Sequence, residues 1–446
     1  MDLKENYMQN TAAAPIKVVY DLSMLGYGYA NFFAKRGVYR VVENIASGLM
    51  RSAECNVSFC ASNSFENLYD TLDYLKRNLQ FSEAPFIYTQ NSCILKSTQK
   101  FWQMRKDYSS GIASVKTQGL LLRIIRKIVF CANTLIESNF SPLALDSLRE
   151  KDIFHSPFFP LPRETKKIKN LKRFMTVYDL IAILYPQVSV PSIVCLMKKI
   201  LKSIRLDDWV ICISHSTKND LCNYLKICPS RVFVIYPAAD PNLFYPCSDF
   251  EKMASMRKKY HIPDMPYLLS LNTLEPRKNV AHIVRCFLKL VQQEHIKDLC
   301  LVLAGQNRWG CSDILQEVSN NRALKERIVM VGYVADEDLA ALYSGALAFV
   351  YPSVYEGFGL PPLEAMQCGV PVITSNTSSL PEVVGNAGIM IAPHDENALC
   401  HNILEIYKKP SLRQVMSLNS INQAKQFTWE KCIQETVRAY KTSLNS

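Results

Sequence analysis

Short apolar runs alternate with longer amphipathic segments through the first half of the chain. Two segments, Gly37–Met50 and Thr217–Lys226, carry the spacing of helices that bury one face. The runs of strand length are Ile16–Asp21, Phe174–Tyr178, Trp209–Ser214 and Val232–Ile235. Strands that alternate with helices predict parallel sheets with crossover helices.

A second alternating series begins after a polar stretch. We interpret Asn242 to Asp264 as the linker, because Pro241 and Pro246 turn the chain there and charged residues follow. The next predicted strands are Tyr267–Asn272, Cys300–Ala304, Ile328–Val331, Ala346–Tyr351 and Val370–Thr374. The second half is therefore predicted to be a separate doubly wound unit.

These patterns predict four regions along the chain. Residues 1–14 form a loose polar tail, 15–243 a first domain, 244–427 a second domain and 428–446 a terminal helix with Thr428 as its cap. The 446 residues, 48% hydrophobic and 20% charged, suit an enzyme of two domains. No apolar run approaches the roughly 18 residues of a spanning helix, and the tail lacks the pattern of a signal peptide.

The fifteen cysteines are scattered, with no Cys-x-x-Cys pair. That distribution favours reduced thiols over a disulfide framework, so we expect a cytoplasmic protein. The formal net charge of +11 indicates an anionic partner, either nucleotide phosphates or lipid headgroups. A nucleic-acid partner is not expected, because no nucleic-acid-binding motif accompanies the charge.

The segment from Lys96 to Leu135 combines many Lys and Arg side chains with Leu, Ile and Val. A basic amphipathic helix of this kind would lie on an anionic membrane surface, here the inner face. The alternative is an ordinary domain helix with a solvated basic edge, since amphipathicity alone is common.

The most informative stretch runs from Tyr351 to Gly369. A buried strand leads into a glycine-containing loop, and a helix is predicted to begin near Pro361 or Pro362. In an open parallel sheet the loop after a strand's carboxyl end is where ligands bind, and a helix start attracts anions. Glu356 and Glu364 flank that loop, and each carboxylate can accept hydrogen bonds from vicinal hydroxyls of a sugar. The alternative for either residue alone is a surface acid or a helix-stabilising charge.

A second strand-to-helix junction carries Arg277 and Lys278, with Asn279 as the predicted helix cap. A planar guanidinium and an ammonium at such a junction suit a diphosphate. Alone, such a pair is usually a solvated one.

Together these motifs resemble the retaining glycosyltransferases of family four. The resemblance is carried by Asn272–Asn279, Leu303–Gly305, Val331–Tyr333, Ala341–Tyr343, Glu356–Glu364 and Ser379–Glu382. Within the family, the chain is most similar to mannosyltransferases that extend bacterial O-antigen chains. The resemblance implies the GT-B architecture, with two Rossmann-like domains facing a cleft and a C-terminal helix that crosses back to the N-terminal domain.

The resemblance also implies roles for the motif residues. Glu356 would hold hydroxyls of the donor sugar, Glu364 would hold the nucleotide ribose, and Arg277 and Lys278 would neutralise the diphosphate leaving group. The loop residues implied to line the sugar and phosphate are Gly357, Phe358, Gly359 and Leu360.

In the N-terminal half, Lys35–Glu43 resembles the family's glycine loop, which implies that Gly37 and Arg40 approach the donor phosphate. Many relatives carry His-Asp where this chain has Tyr178-Asp179, and that histidine contacts the donor sugar. Tyr178 and Asp179 are therefore candidates for donor-sugar or acceptor contacts. His155 is predicted to be structural rather than catalytic.

No metal site or cofactor is expected. Carboxylates occur at Asp207-Asp208 and Asp336–Asp338, but each group precedes or opens a predicted helix or strand, where exposed acids are common. The sequence has no His-x3-His motif and no Cys pair of the kind that binds zinc. We therefore predict a metal-independent, retaining hexosyltransferase that uses a nucleotide-diphosphate sugar, with GDP-mannose favoured, and a glycan or lipid-linked glycan acceptor. The alternatives are a UDP-sugar or dTDP-rhamnose donor, a phosphorylase or epimerase of the same fold, and a non-catalytic binding subunit.

Overall fold

The computed structural model of the chain describes residues 14–31, 37–111, 140–305 and 326–446. It contains two parallel sheets with helices between the strands, so the predicted α/β class is confirmed. Three sequence expectations lie wholly or mainly outside the described residues: the tail over 1–14, the Lys35-Arg36 part of the glycine loop, and 112–135 of the basic segment.

The first sheet has the strand order β3-β2-β1-β4-β5-β6-β7 and the second β10-β9-β8-β11-β12-β13. The first six strands of each follow the order 3-2-1-4-5-6 of a doubly wound dinucleotide-binding sheet. The strands of the first sheet are β1 (Ile16–Asp21), β2 (Cys55–Cys60), β3 (Phe86–Ile87), β4 (Ile153–Ser156), β5 (Lys172–Val177), β6 (Trp209–Cys212) and β7 (Val232–Val234). Those of the second are β8 (Tyr267–Leu271), β9 (Cys300–Ala304), β10 (Ile328–Gly332), β11 (Ala348–Tyr351), β12 (Val372–Ser375) and β13 (Ile389–Ile391).

The helices of the first part of the chain are α1 (Ser23–Ala30), α2 (Val38–Arg51), α3 (Phe65–Arg77), α4 (Ser92–Gly111), α5 (Ile181–Leu184), α6 (Pro191–Ser203) and α7 (His215–Leu225). Those of the later part are α8 (Phe250–Lys259), α9 (Val280–Gln293), α10 (Leu339–Ser344), α11 (Leu360–Gln367), α12 (Leu380–Val384), α13 (Glu396–Lys408), α14 (Pro410–Ala424) and α15 (Trp429–Leu444). Within the described residues, no helix combines the length and apolar character that crossing a bilayer requires.

The chain forms two compact units. One comprises Met1–Met175 together with Ile433–Ser446, the other Thr176–Cys432, so the division falls inside β5. Most of α15 thus belongs to the first unit, as the predicted C-terminal crossing requires. Its amino end is capped by the Thr428 hydroxyl, which accepts from the Lys431 amide at 3.1 Å.

In the first unit, α15 is fastened through a buried polar contact. The Tyr440 hydroxyl and His155 Nδ1 lie 2.6 Å apart, and neither side chain is exposed. Burial lowers the pKa of His155 to about 3, so its imidazole is neutral at physiological pH. The interpretation of His155 as structural agrees with this environment.

In the second unit, α9 packs its apolar face on the second sheet. Its Val280, Ile283 and Phe287 belong to one buried cluster with strand residues such as Leu301 and Val350. Asn279 is at the N-cap position of α9, as predicted, but its side chain makes no capping hydrogen bond. Asn279 has φ +58°, and its Nδ2 donates to the Pro393 carbonyl at 2.6 Å.

Candidate active site

Two loops meet at the carboxyl ends of β8 and β11 in the second unit. These strands are parallel neighbours, although they are the first and fourth strands of the sheet along the chain. The direction of winding therefore reverses between them, and such a switch point opens the crevice in which doubly wound sheets bind ligands. Arg277 and Lys278 follow β8, and Glu356 follows β11.

The structure brings the three predicted catalytic side chains into direct contact. Glu356 Oε1 lies 2.6 Å from Lys278 Nζ and 2.9 Å from Arg277 Nη1. The same oxygen accepts from the hydroxyls of Tyr351 at 2.9 Å and Ser353 at 2.6 Å. Across the described part of the chain, no donor reaches Oε2, so that oxygen is available to a hydroxyl of a ligand.

Electrostatics keep this buried carboxylate charged. Burial raises the pKa of Glu356, but the Arg277 and Lys278 charges outweigh that effect and hold it at about 2. Burial and the neighbouring guanidinium lower the pKa of Lys278, whereas Glu356 and Glu275 raise the pKa of Arg277 above its ordinary range. The site is therefore an ion cluster in a place largely closed to water, where charge interactions are strong.

Arg277 is held by partners on both loops. One of its terminal nitrogens, Nη1, also donates to the Tyr355 carbonyl, and the other, Nη2, pairs with Glu275. Glu275 precedes Pro276 in the same motif, and our sequence reasoning gave it no role. Lys278 Nζ additionally lies 2.5 Å from the Tyr351 hydroxyl. The guanidinium and the ammonium are thus positioned before any ligand binds.

Two serines after β12 fix the backbone of the Glu356 loop. The Glu356 amide donates to Ser378 Oγ at 2.8 Å, and Ser379 Oγ donates to the carbonyls of Glu356 and Phe358 at 2.9 and 2.6 Å. Sequence reasoning missed Ser378, Ser379, Tyr351 and Ser353 as site residues. Tyr351 and Ser353 lie at or just beyond the end of a predicted strand, and Ser379 begins the Ser379–Glu382 motif, but neither signal indicated these contacts.

Gly357 and Gly359 are required by different constraints. A Cβ on Gly357 would lie 2.3 Å from the Tyr178 carbonyl oxygen and 2.9 Å from Asp179 Cβ. Gly359 has φ +123°, which side chains rarely tolerate, and it turns the chain into α11. These glycines therefore allow the loop to approach Tyr178-Asp179 closely and then to enter the helix.

Tyr178 and Asp179 come to the site by different routes. The backbone carbonyl of Tyr178 lies next to the Glu356 loop. Thr217 Oγ1 donates to this carbonyl and to the Gly357 carbonyl, each at 3.2 Å, and the Tyr178 side chain is buried. Partial burial raises the pKa of Asp179, although Arg277 and Lys278 are near enough to oppose the effect. Asp179 is thus the member of this pair whose side chain lies in the field of the ion cluster.

The start of α11 offers fewer amides than expected. The helix begins at Leu360, and the two prolines that follow have no N–H. Amide donors can therefore come only from residues up to Leu360. The Phe358 side chain is buried between the rings of Tyr236 and Phe427, each 5.7 Å away, so its backbone is the part that can face a ligand.

Glu364 lies on α11, one turn beyond the loop. It is half-buried, and its Oε2 accepts from the Tyr343 hydroxyl at 2.9 Å. Tyr343 comes from α10, so two helices of the second unit determine the direction of this carboxylate.

Glu382, the last residue of the Ser379–Glu382 motif, makes hydrogen bonds within the protein. Its carboxylate accepts from the amides of His215 and Ser216 at 2.7 and 2.8 Å and from the Tyr236 hydroxyl at 3.0 Å. A carboxylate at the amino end of α7 stabilises that helix through two otherwise unpaired amides.

Gly37 and Arg40 belong to the first unit, where Gly37 precedes α2 and Arg40 lies in its first turn. Their predicted approach to the donor stays a prediction. Two of the carboxylates considered as metal ligands have protein partners: Asp208 accepts from the Arg205 amide at 2.7 Å, and Asp338 pairs with Lys259 at 2.6 Å. Over the ranges that the structure describes, no three His, Cys, Asp or Glu side chains group as metal ligands.

The part of the chain that carries this site matches a known protein family. Residues 252–423 match the family described as "Glycosyl transferases group 1". That range contains Arg277, Lys278, Glu356 and Glu364, and hence the whole ion cluster.

Relatives extend the match beyond that range. The chain is 32% identical over 332 residues to O-antigen chain mannosyltransferase B of Escherichia coli, covering 74% of this chain and 84% of the relative. It is 30% identical over 240 residues to the serotype-specific mannosyltransferase WbdA of the same species, covering 54% of this chain but only 29% of WbdA. A glycosyltransferase structure from Rickettsia africae superposes with a TM-score of 0.62 at 16% identity, covering 97% of this chain and 99% of that one, which shows the common fold. This chain therefore belongs to the glycosyl transferases group 1 family and is a glycosyltransferase.

Proposed function

We propose that the enzyme transfers mannose from GDP-mannose to a glycan or lipid-linked glycan during synthesis of a surface polysaccharide. The observation that carries the proposal is the contact of Glu356 with both Arg277 and Lys278 at the switch point of the second sheet. The mannose preference is supported by the relatives, which are named as O-antigen and serotype-specific mannosyltransferases.

In this proposal Glu356 Oε2 accepts a hydroxyl of the donor sugar while Oε1 stays bound to the cations. A sugar held in this way has its reacting carbon close to Arg277 and Lys278, because all three side chains share one oxygen. The cations then stabilise the negative charge that grows on the departing diphosphate, which is the largest rate contribution that the site can supply. Glu364, oriented by Tyr343, binds the ribose of the nucleotide.

We infer that no metal ion is needed for the leaving group, since two fixed cations can take that role. We also infer retention at the sugar carbon, which the resemblance to the retaining enzymes of family four implies. Glu275 and Glu356 both pair with the cations, so neither is a free nucleophile, and we expect front-side displacement assisted by the leaving phosphate. Asp179 is the candidate that contacts the acceptor, because it lies beside the cluster and keeps a raised pKa.

A thermal-shift panel tests the donor base. A ligand that binds only the folded state raises its stability by RT ln(1 + [L]/Kd), which is ~2.7 kcal/mol at a hundred times Kd. GDP should therefore raise the melting temperature more than UDP, dTDP or ADP at the same concentration. A larger shift with another nucleotide would overturn the choice of GDP while leaving the transferase assignment intact.

Product analysis tests the reaction class and the metal. Incubation of GDP-mannose with enzyme, with and without a glycan acceptor, should give a glycoside of unchanged anomeric configuration only when the acceptor is present. EDTA should leave the rate unchanged. Release of free sugar without acceptor would indicate an epimerase-like or hydrolytic activity, and loss of activity in EDTA would refute the metal-independent mechanism.

A further inference from the structure

The loop that carries Glu356 is held in part by a helix from a distant segment of the chain. That helix is α7 (His215–Leu225), which lies between β6 and β7 along the sequence. Those strands belong to the first sheet, yet α7 and the Glu356 loop fall in the same compact unit, Thr176–Cys432. The contacts between them join residues that are 135 and 140 positions apart.

Two side chains of α7 bond the residues on either side of Glu356. The Tyr355 hydroxyl donates to Asp220 Oδ2. Thr217 Oγ1 donates to the Gly357 carbonyl at 3.2 Å. Because Thr217 and Asp220 are three positions apart, they share one face of the helix. Glu356 thus lies between two points that a single helix fixes.

Tyr355 is also a direct partner of the ion cluster. Its carbonyl accepts from Arg277 Nη1 and, at 3.3 Å, from Ser353 Oγ. The same Arg277 nitrogen lies 2.9 Å from Glu356 Oε1. A shift of Tyr355 would therefore move both the carboxylate that follows it and the guanidinium that its carbonyl holds.

The contacts of Asp220 are directed at this loop alone. Among the residues that the structure describes, half-buried Asp220 forms no second hydrogen bond and no ion pair. An ionised acceptor makes a strong hydrogen bond to a hydroxyl. The Tyr355 side chain transmits that bond to the backbone, because only two torsions separate its ring from the main chain.

The helix α7 is itself fixed against the same part of the second sheet. Glu382 accepts from the amides of His215 and Ser216 at the amino end of α7, at 2.7 and 2.8 Å. Glu382 lies in α12, which follows Ser379, and Ser379 Oγ donates to the Glu356 carbonyl at 2.9 Å. The hydrogen bonds therefore run from the loop to α7, from α7 to α12 and back to the loop.

We propose that Asp220 is a positioning residue for the transfer step: through the Tyr355 hydroxyl it holds Glu356 and Arg277 in the arrangement that the reaction uses. The inference rests on the proposed function, since it takes these two side chains to act on the sugar and the diphosphate. Asp220 acts through Tyr355 and is not itself a catalytic residue. Misplacement of reacting groups by about 1 Å can cost roughly a hundredfold in rate.

The alternative is that the bond between Tyr355 and Asp220 only stabilises the fold. In that case its loss would lower the free energy of unfolding without changing the rate per folded molecule. The chain offers a matched comparison in the same unit, because the Tyr407 hydroxyl on α13 donates to Asp298 Oδ1 at 2.5 Å. Tyr407→Phe removes the same kind of bond outside the site.

Kinetics on the full chain test the proposal. Tyr355→Phe and Asp220→Ala should each lower kcat by about 10- to 100-fold while the Kd for the donor nucleotide changes by less than about threefold. The double variant should be no slower than the slower single variant, since both changes remove one contact, whereas independent effects would multiply. Asp220→Asn keeps an acceptor oxygen for the hydroxyl and should retain most of the wild-type kcat.

The control Tyr407→Phe should keep kcat within about twofold of the wild-type value. Denaturant unfolding on each preparation gives the folded fraction, so that kcat is compared per folded molecule. The proposal would be overturned by unchanged kcat in Tyr355→Phe and Asp220→Ala, by an equal fall in Tyr407→Phe, or by a multiplied loss in the double variant. An Asp220→Asn enzyme as slow as Asp220→Ala would also overturn it.

The donor and glycan acceptor in these assays are those that the wild-type enzyme turns over fastest. A preference for a donor other than GDP-mannose would contradict the proposed function and leave the comparison of variants intact. Transfer from GDP-mannose with no effect of the variants would contradict the role of Asp220 alone.

Discussion

Asp21 and Glu356 are buried carboxylates near the carboxyl ends of strands in two sheets of the same strand order, yet their surroundings shift their pKa values in opposite directions. Asp21 ends β1 and accepts from the Ser23 amide at 2.7 Å, the Ser62 amide at 3.3 Å and the Ser62 hydroxyl. Burial raises the pKa of Asp21, because neutral donors compensate it only in part. Glu356 has two cations beside it, and its pKa falls to about 2.

The difference shows how one topology gives one structural and one chemical site. The chain after β1 enters α1, which carries no charged residue, whereas the chain after β8 brings Glu275, Arg277 and Lys278 to the sheet edge. A carboxylate surrounded by amides and hydroxyls holds a loop together. A carboxylate whose oxygen contacts a guanidinium and an ammonium holds those charges in place, and in the proposed mechanism they lie where the diphosphate departs.

The largest expected effect comes from removing the charge at Glu356. Glu356→Gln keeps the shape of the side chain but leaves Arg277 and Lys278 without their shared anion and weakens the hold on the sugar hydroxyl. We expect kcat for transfer to fall by about 10²–10³, as for other fixed groups that act on transition-state charge. Steady-state kinetics measure the change, and Glu275→Gln, which affects Arg277 through its other nitrogen, is the control with a smaller expected loss. If kcat of the Glu356→Gln enzyme stayed within tenfold of the wild-type value, the proposed difference in role between Glu356 and Asp21 would be contradicted.

The corresponding change at Asp21 should affect stability instead. Asp21→Asn turns one oxygen into a donor that faces either the Ser23 amide or the Ser62 amide and hydroxyl, which costs about 1–3 kcal/mol in the free energy of unfolding. The kcat per folded molecule should stay within about twofold of the wild type. Denaturant unfolding and kinetics on the same preparation test this, and a large fall in kcat without loss of stability would show that Asp21 takes part in chemistry.

His155 extends the comparison to a buried base without a charged partner. Its pKa is about 3 in the folded protein against 6.5 as the ordinary value, so between these values the unfolded chain binds a proton that the folded chain does not. The free energy of unfolding should therefore fall as the pH decreases from about 6.5 toward 3, by up to ~1.4 kcal/mol per pH unit from this residue. Denaturation at pH 7, 6 and 5 should show a shallower dependence for His155→Gln than for the wild type. Parallel curves would mean that His155 does not titrate as its burial requires.

The smallest effect is expected at the second carboxylate of the site. Tyr343→Phe removes the hydroxyl that donates to Glu364 while leaving the ring in the core. The loss of one oriented hydrogen bond, about 0.5–1.5 kcal/mol, predicts donor binding roughly two- to tenfold weaker with little change in kcat. Nucleotide titration measures it, and Tyr267→Phe, whose hydroxyl bonds the Leu342 carbonyl outside the site, is the control. A fall in kcat with unchanged nucleotide affinity would indicate that Glu364 acts in the transfer step, as proposed for Glu356, and not in nucleotide binding.

Much of this arrangement was predictable because it depends on local order along the chain. Alternating strands and helices predicted the two parallel sheets. The strand-to-helix junctions predicted that Arg277, Lys278 and Glu356 follow the carboxyl ends of strands, here β8 and β11. A resemblance carried by the same motifs indicated a glycosyltransferase, and the comparisons show membership of the glycosyl transferases group 1 family. The strands, helices and junctions need only periodicity and spacing, whereas the family came from the resemblance of the motifs.

Other features depended on contacts between distant residues. Sequence alone did not indicate that Glu356 would gather four donors on one oxygen, that Ser378 and Ser379 would hold its loop, or that the Asn279 side chain would bond the Pro393 carbonyl instead of making a capping hydrogen bond. The partial exposure of apolar residues over 183–199 was equally unpredictable, because a run of apolar residues predicts burial until its neighbours are known. Local spacing determines which residues a strand or helix presents, but only folding decides which charges, hydroxyls and apolar faces meet, since those energies depend on distance and burial in three dimensions.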